Sequence, residues 1–335
     1  MNTKPNIAVV GAGAIGSLLA AIWSRAGEDV TLVVRPGRVE TLRASGLRAS
    51  GVAGDFHAAP KVAAEIPART DIAVFTMKSQ DLAESCRAQK AHLGDAVFVA
   101  AQNGVRAPEI VFDELGIAPV SAILLLNASS LAPGEVRYNR KGVTVLGLTD
   151  PSMRNALPGI ERLFALVAPV FVTKEIEGAM WSKLVINAMT NSLQALTNKS
   201  LNECVRDPLI SDFAVAQLKE SFGVVRAAGI PLVNIPGAPM KLFSRALMLP
   251  AVIGKMILRK NLGGGDQASI MTSTLQSLLR KQPTEIDYLN GEFVRLGEKI
   301  GFPAPINRAI VEAVKRIERD GRFLSREEIG AMIEK

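Results

Sequence analysis

The chain has 335 residues, 48% of them hydrophobic and 21% charged, a length and balance that suit two soluble domains with sizeable cores. Its formal charge of +7 is spread along the chain, and with only 5% aromatic residues and no basic run interleaved with them it argues against nucleic acid and for small anionic ligands. Cys86 and Cys204 lie far apart with no metal-ligand spacing, which excludes a disulfide scaffold and a metal site and reads as reduced thiols in a cytoplasmic protein.

The segment Met1 to Pro5 is short and polar, without the features of a signal peptide. It leads into a first half in which short apolar runs alternate with helical patterns. Asn6 to Val10, Val30 to Val34, Ile72 to Thr76, Ala96 to Ala101 and Val120 to Leu126 read as buried parallel strands. Ser17 to Ala26 reads as a helix stopped by Gly27. Leu47 to Ala59 and Glu135 to Leu148 contain turn residues between β-prone stretches and read as hairpins or edge strands. Ile117 to Pro133 is uncharged but interrupted by polar residues, and Ala246 to Gly254 is too short to cross a bilayer, so no membrane span is expected. Beyond about residue 150 the strand signal fades: a linker helix at Ala156 to Val167 and a strand at Val170 to Thr173 precede an almost wholly helical pattern. The helices expected are Gly178 to Leu196, Ile210 to Ala228, Ala268 to Leu279, Thr284 to Ile300 and Ile306 to Asp320, with Ile230 to Gly265 apolar yet irregular. The fold class expected is thus an α/β N-terminal domain, a Rossmann-type doubly wound sheet over 1–173, followed by an all-α C-terminal domain over 174–335.

Gly11-Ala12-Gly13-Ala14-Ile15-Gly16 fits GxGxxG, and it gains meaning by following a strand and opening an amphipathic helix. Gly11 suits the tight turn, Gly13 the approach of backbone to a pyrophosphate, and Gly16 the packing of helix on strand. The helix N-terminus offers free N–H groups to the phosphates. At the end of the second strand, where NAD-dependent enzymes place an acid, this chain has Arg35. A guanidinium there grips a 2′-phosphate, so the cofactor reading is NADP(H), against the plainer reading of a solvated surface arginine. Lys78 and Gln102-Asn103-Gly104 follow two further strands, where turn chemistry and ligand contact are both open readings.

Neither His57 nor His92 sits beside a motif. Hydride transfer from such a cofactor to a carbonyl would need a proton donor, and Lys183, Asn187 and Asn191 recur at i, i+4 and i+8 as one polar stripe on an otherwise apolar helix. Such a stripe is costly when buried unless it meets partners or a ligand, and solvation is the alternative. Ser273 precedes a second segment, Pro283-Thr284-Glu285-Ile286-Asp287. There Thr284 could cap a helix with Glu285 in its first turn, and the residues alone do not decide between that role and catalysis.

Taken together, the glycine fingerprint, Gln102-Asn103-Gly104, the Lys183/Asn187/Asn191 spacing, and Pro283 to Asp287 followed by Leu289-Asn290-Gly291 resemble the ketopantoate reductase family over nearly the whole chain. The resemblance implies NADPH-dependent reduction of a small anionic 2-oxo acid, ketopantoate to pantoate, with another branched 2-oxo acid or a non-catalytic NADP(H) sensor as the alternatives. It implies that Lys183 is the general acid and Glu285 an active-site acid bonded to substrate. Asn187, Asn191 and Ser273 would bind substrate, Asn103 would sit near nicotinamide and substrate, and Lys78 and Arg35 would contact the cofactor. Relatives are often dimeric, so a homodimer is an expectation by analogy alone. The chain departs from the family pattern where members commonly carry Asn-Gly-Glu-Leu and it carries Leu201-Asn202-Glu203-Cys204. It also departs where many read Ser-Ser-Met-Leu-Gln-Asp and it reads Thr272-Ser273-Thr274-Leu275-Gln276-Ser277.

Overall fold

A computed structural model describes residues 4–247, 249–262 and 271–333. The chain divides into two units, one ending at Ile176 and the other beginning at Glu177.

The first unit runs through β1 (Asn6–Val10), α1 (Ala14–Arg25), β2 (Asp29–Val33), α2 (Val39–Ser45), β3 (Leu47–Gly51), β4 (Phe56–Ala58) and β5 (Lys61–Ala63). It continues with β6 (Ile72–Phe75), α3 (Leu82–Leu93), β7 (Val97–Ala100), α4 (Ala107–Leu115) and β8 (Val120–Leu124). Last come β9 (Asn127–Ala132), β10 (Glu135–Arg140), β11 (Thr144–Leu148), α5 (Leu157–Ala165) and β12 (Val170–Thr173). The main sheet has the order β12-β11-β8-β7-β6-β1-β2-β5. Every pairing from β8 to β5 is parallel, and β11 joins antiparallel to β8. Reading out from β1, the chain goes to β2 and β5 on one side and to β6, β7 and β8 on the other. That reversal is the switch point at which open α/β sheets bind ligands. Alternation along β1 sends Ile7 and Val9 into one core with α1 and α5, and Ala8 and Val10 into the other with α3 and α4.

Helix α1 is fastened at its far end. Trp23, fully buried, donates its indole N–H to Leu163 O at 2.7 Å and packs edge-on against Phe164. Arg162 makes a two-pronged ion pair with Glu28, both bonds 2.8 Å, and it holds the Glu28 carboxyl below the ordinary range.

One of the sequence expectations fails in this unit. Glu135 to Leu148 is neither a hairpin nor a pair of edge strands: β10 lies between β9 and β3, parallel to β3, in a separate four-stranded sheet, whereas β11 lies between β8 and β12 in the main sheet. The turn residues around Lys141 and Gly142 carry the chain from one sheet to the other, a change of partner that local pattern does not encode. Strand β9, polar and half-exposed, lies beyond the strands expected from apolar runs; its bonding to β10 makes it a strand.

The second unit holds α6 (Ile176–Thr197, from the last residue of the first unit), α7 (Leu201–Arg206), α8 (Pro208–Ala227), α9 (Met240–Ala246), α10 (Ala251–Leu262) and α11 (Ser273–Leu279). It ends with α12 (Asn290–Ile300), α13 (Pro305–Asp320) and α14 (Arg326–Gly330). It is mostly helical, as expected, and among the described residues no helix is long and apolar enough to cross a membrane. The segment expected to be irregular carries α9 and α10; the part of the expected Ala268 helix before Met271, like 263–265 of the irregular segment, lies outside the described residues. The single helix expected from Thr284 is instead a 3-10 turn at Ile286–Tyr288 followed by α12, so Glu285 precedes a short turn rather than sitting in a helix's first turn. A buried polar chain holds α8, α12 and α13 together: Asn290 donates to Asn307 Oδ1 at 2.9 Å, and Asn307 donates to Glu220 at 2.8 Å.

Candidate active site

The first unit arrays its candidate residues along one edge of the sheet. In strand order, Arg35 follows β2, the glycine loop follows β1, Lys78 follows β6 and Asn103 follows β7. At about 4.8 Å per strand this row spans roughly 14 Å, the scale of an extended dinucleotide.

The glycines divide their duties as the fingerprint requires. Gly11 has φ +106°, in the region where only glycine is at ease. A Cβ on Gly16 would lie 1.9 Å from Gly11 O and 2.4 Å from Thr76 Oγ1, so Gly16 is what lets α1 sit on the strand. A Cβ on Gly13 would meet nothing within 4 Å. Gly13 is also the N-cap of α1 and has no side-chain cap, which leaves the first N–H groups bare for an anion. Thr76 Oγ1 bridges Val10 O and Gly11 O at 3.0 Å each, tying the loop to β6.

Arg35 is exposed, and its side chain has no hydrogen bond or ion pair among the described residues. Ser79 Oγ donates to Asn103 O at 2.8 Å, and Gln102 donates to Phe75 O at 2.8 Å, so the turns carrying Lys78 and Asn103 are clipped to each other and to the sheet. Ser79 was not singled out in the sequence, and position after a strand was the only signal for it; for Gln102, where turn chemistry and ligand contact were both open, the structure shows a bond to the sheet.

In the second unit α6 brings Lys183, Asn187 and Asn191 onto one face, and the chain returns about a hundred residues later with Ser273 and Glu285. Glu285 is 8% exposed and interacts electrostatically with half-buried Lys183. Burial lowers the Lys183 ammonium to about 8, with the Glu285 carboxylate acting in the opposite sense. An amine so tuned is mostly protonated at neutral pH yet gives up its proton far more readily than a surface lysine. Asn191 bonds to Asn187 at 2.8 Å and to Ser273 Oγ at 3.2 Å, which joins three of the expected substrate residues. Two residues that sequence reading missed complete the joint: Thr274 bonds to Asn191, and Gln194, one turn further along the stripe, accepts Thr272 N–H at 2.7 Å. Gln194 continues the i, i+3/i+4 stripe and was legible by that rule.

Asn202 lies on α7, whose start is fixed by a capping box between Ser200 and Glu203. Its Oδ1 is buried without a hydrogen-bond partner among the described residues.

Residues 7–151 match the family described as ketopantoate reductase PanE/ApbA, and residues 175–318 match its C-terminal counterpart. The 2-dehydropantoate 2-reductase of Pyrococcus horikoshii is 27% identical over 94% of this chain and 98% of its own length. That of Mesorhizobium japonicum is 28% identical over 93% and 97%. A crystal structure of a ketopantoate reductase from Ralstonia eutropha JMP134 superposes with a TM-score of 0.78 at 28% identity, covering 94% of this chain and 99% of that one. The fold is shared at 17% identity, with a TM-score of 0.80, by D-mandelate dehydrogenase solved with NADH and anilino(oxo)acetate; the match covers 94% and 99% of the two chains. With both halves matched, the chain belongs to the ketopantoate reductase family and is an oxidoreductase of the 2-dehydropantoate 2-reductase type.

Proposed function

We propose that the protein reduces ketopantoate to pantoate with NADPH, the first unit holding the cofactor and the second supplying the acid. The observation that carries this reading is Lys183, lowered to about 8 by burial and kept protonated by Glu285, on the same helix face as two asparagines. When bound, a reduced nicotinamide dinucleotide supplies a hydride to the keto carbon. Lys183 Nζ stabilises the negative charge growing on the keto oxygen and donates its proton there; the neutral amine then recovers a proton from solvent. Asn187 and Ser273 orient the carboxylate and hydroxyl of the substrate, which removes orientational freedom before the transfer.

Arg35 favours NADPH over NADH, because the fold reserves its position for the ribose-recognising group and its charge suits a 2′-phosphate. Asn103, at the other end of the same edge, suits contact with nicotinamide and substrate, and Lys78 suits the phosphates.

The test is loss of NADPH absorbance with a panel of 2-oxo acids. Ketopantoate should be the best of them, with 2-oxoisovalerate, which lacks the hydroxymethyl group, turned over less well. Leu201-Asn202 favours a second reading, reduction of another branched 2-oxo acid, and that reading takes over if ketopantoate is not turned over while an analogue is. NADPH binding with no turnover of any panel member would leave a cofactor sensor.

A further inference from the structure

Asn191 is the member of the stripe whose amide is wholly taken up by protein. Its Nδ2 donates to Asn187 O and Asn187 Oδ1, both at 2.8 Å. Its Oδ1 accepts from Thr274 Oγ1 at 2.9 Å, Thr274 N at 3.1 Å and Ser273 Oγ at 3.2 Å. The residue is 2% exposed. Two of these partners are backbone groups with one role each: a carbonyl only accepts and an N–H only donates. They fix which end of the Asn191 amide is oxygen, and the orientation propagates. Asn187 must turn Oδ1 toward Asn191, so its NH2 faces outward; that NH2 has no hydrogen-bond partner among the described residues. Ser273 directs its proton at Asn191 and so offers lone pairs to any further partner.

We propose that Asn191 is a positioning residue that sets the polarity of the substrate wall, with Asn187 presenting N–H donors and Ser273 an acceptor. Donors beside Lys183 take a carboxylate, and the acceptor takes the proton of a hydroxyl, so the pattern reads a hydroxylated 2-oxo acid; the substrate class rests on the function proposed above. A plain branched 2-oxo acid meets the donors but leaves Ser273 without its hydroxyl, and an unmet polar group is a source of discrimination.

Asn191→Asp keeps the shape and removes the donor. Its oxygens would face Asn187 Oδ1, turn that amide about, and point a carbonyl at the substrate. KM for ketopantoate should rise roughly ten- to a hundredfold with kcat within about threefold. In an Asn187→Ala background the same change should add less than about twofold, because its route through Asn187 is gone. Losses that simply add would mean that Asn191 touches substrate itself and would overturn the proposal. Asn187→Asp keeps the acceptor that Asn191 uses and replaces the outward NH2, so it should raise KM similarly at unchanged Tm; it carries the kinetic test should Asn191→Asp not fold, and an unchanged KM overturns the idea. Ser273→Ala should narrow the preference for ketopantoate over 2-oxoisovalerate, and an unaltered ratio removes Ser273 from it. A readout free of substrate is side-chain amide exchange by 15N NMR, where the Asn191 NH2 should exchange slowly and the Asn187 NH2 fast. The reverse order overturns the proposal whatever the enzyme reduces, whereas an unmodified protein that turns over no 2-oxo acid sinks the proposed function and leaves the exchange rates to decide the role of Asn191.

Discussion

Replacing Glu285 by Gln removes a carboxylate that favours the charged form of Lys183 while nearly preserving shape. Lys183 stands at about 8 as the balance of burial, which lowers it, and Glu285, which raises it. An opposite charge in close range raises a cation by roughly one to three pH units, so even the low end corresponds to about 1.4 kcal/mol. With Glu285 gone, burial acts alone, and the alkaline limb of kcat/KM should move from about 8 to about 7 or below. At pH 8 the protonated fraction of Lys183 would fall from about one half to about one in ten, whereas near pH 6 it would change little. The direction follows from the sign of the missing charge: a lysine without its anion loses its proton at lower pH. The assay is kcat/KM for ketopantoate at saturating NADPH from about pH 5.5 to 9.5, which reports the cofactor-loaded enzyme before ketopantoate binds. Any loss of a direct substrate contact lowers the whole curve, but only the proton balance moves the limb. A limb that stays in place or shifts upward would refute both the pairing and the role of Lys183 as the acid.

Lys183→Met, which keeps much of the volume, should lower kcat by roughly 10²–10⁴ with NADPH affinity little changed, measured by turnover and by fluorescence titration. Arg35→Ala should remove most of an NADPH preference of about tenfold or more while leaving NADH use nearly as it was, read from kcat/KM with each cofactor. Two glycines should separate stability from binding. Gly16→Ala forces a Cβ against the Gly11 backbone and should lower stability by about 1–3 kcal/mol in urea titration, whereas Gly13→Ala meets open space at an ordinary φ of −77° and should weaken only the cofactor.

What could be read from sequence was what repeats locally. The parallel strands announced themselves as apolar runs, and the fingerprint gained its meaning from the strand before it and the helix after it. The stripe of Lys183, Asn187 and Asn191 followed from helix geometry alone. What sequence hid was the company each residue keeps. Glu285 looked like a helix-start acid, because nothing nearby in sequence says that Lys183, some hundred residues earlier, stands beside it. Asn191 looked equivalent to Asn187, and only the return of the chain at Thr272 to Thr274 makes one a buried joint and the other an outward donor. The parting of β10 and β11 into different sheets was hidden for the same reason, since the partner of each comes from elsewhere in the chain.

The fastening of α1 has a consequence in time. The Trp23 bond to Leu163 spans 140 residues, and the Glu28 pair with Arg162 spans 134. At a synthesis rate of about 5–20 residues per second, the helix that follows the glycine fingerprint waits roughly 7–28 s for its clamp. Until then the indole N–H lacks its acceptor and one face of the helix lacks its cover. The first unit is therefore not a cassette that could end with β8. A nascent chain stopped after β8 would carry every residue of the glycine fingerprint and the Thr76 tie that holds the loop, yet the far end of α1 would stay unclamped until α5 emerged.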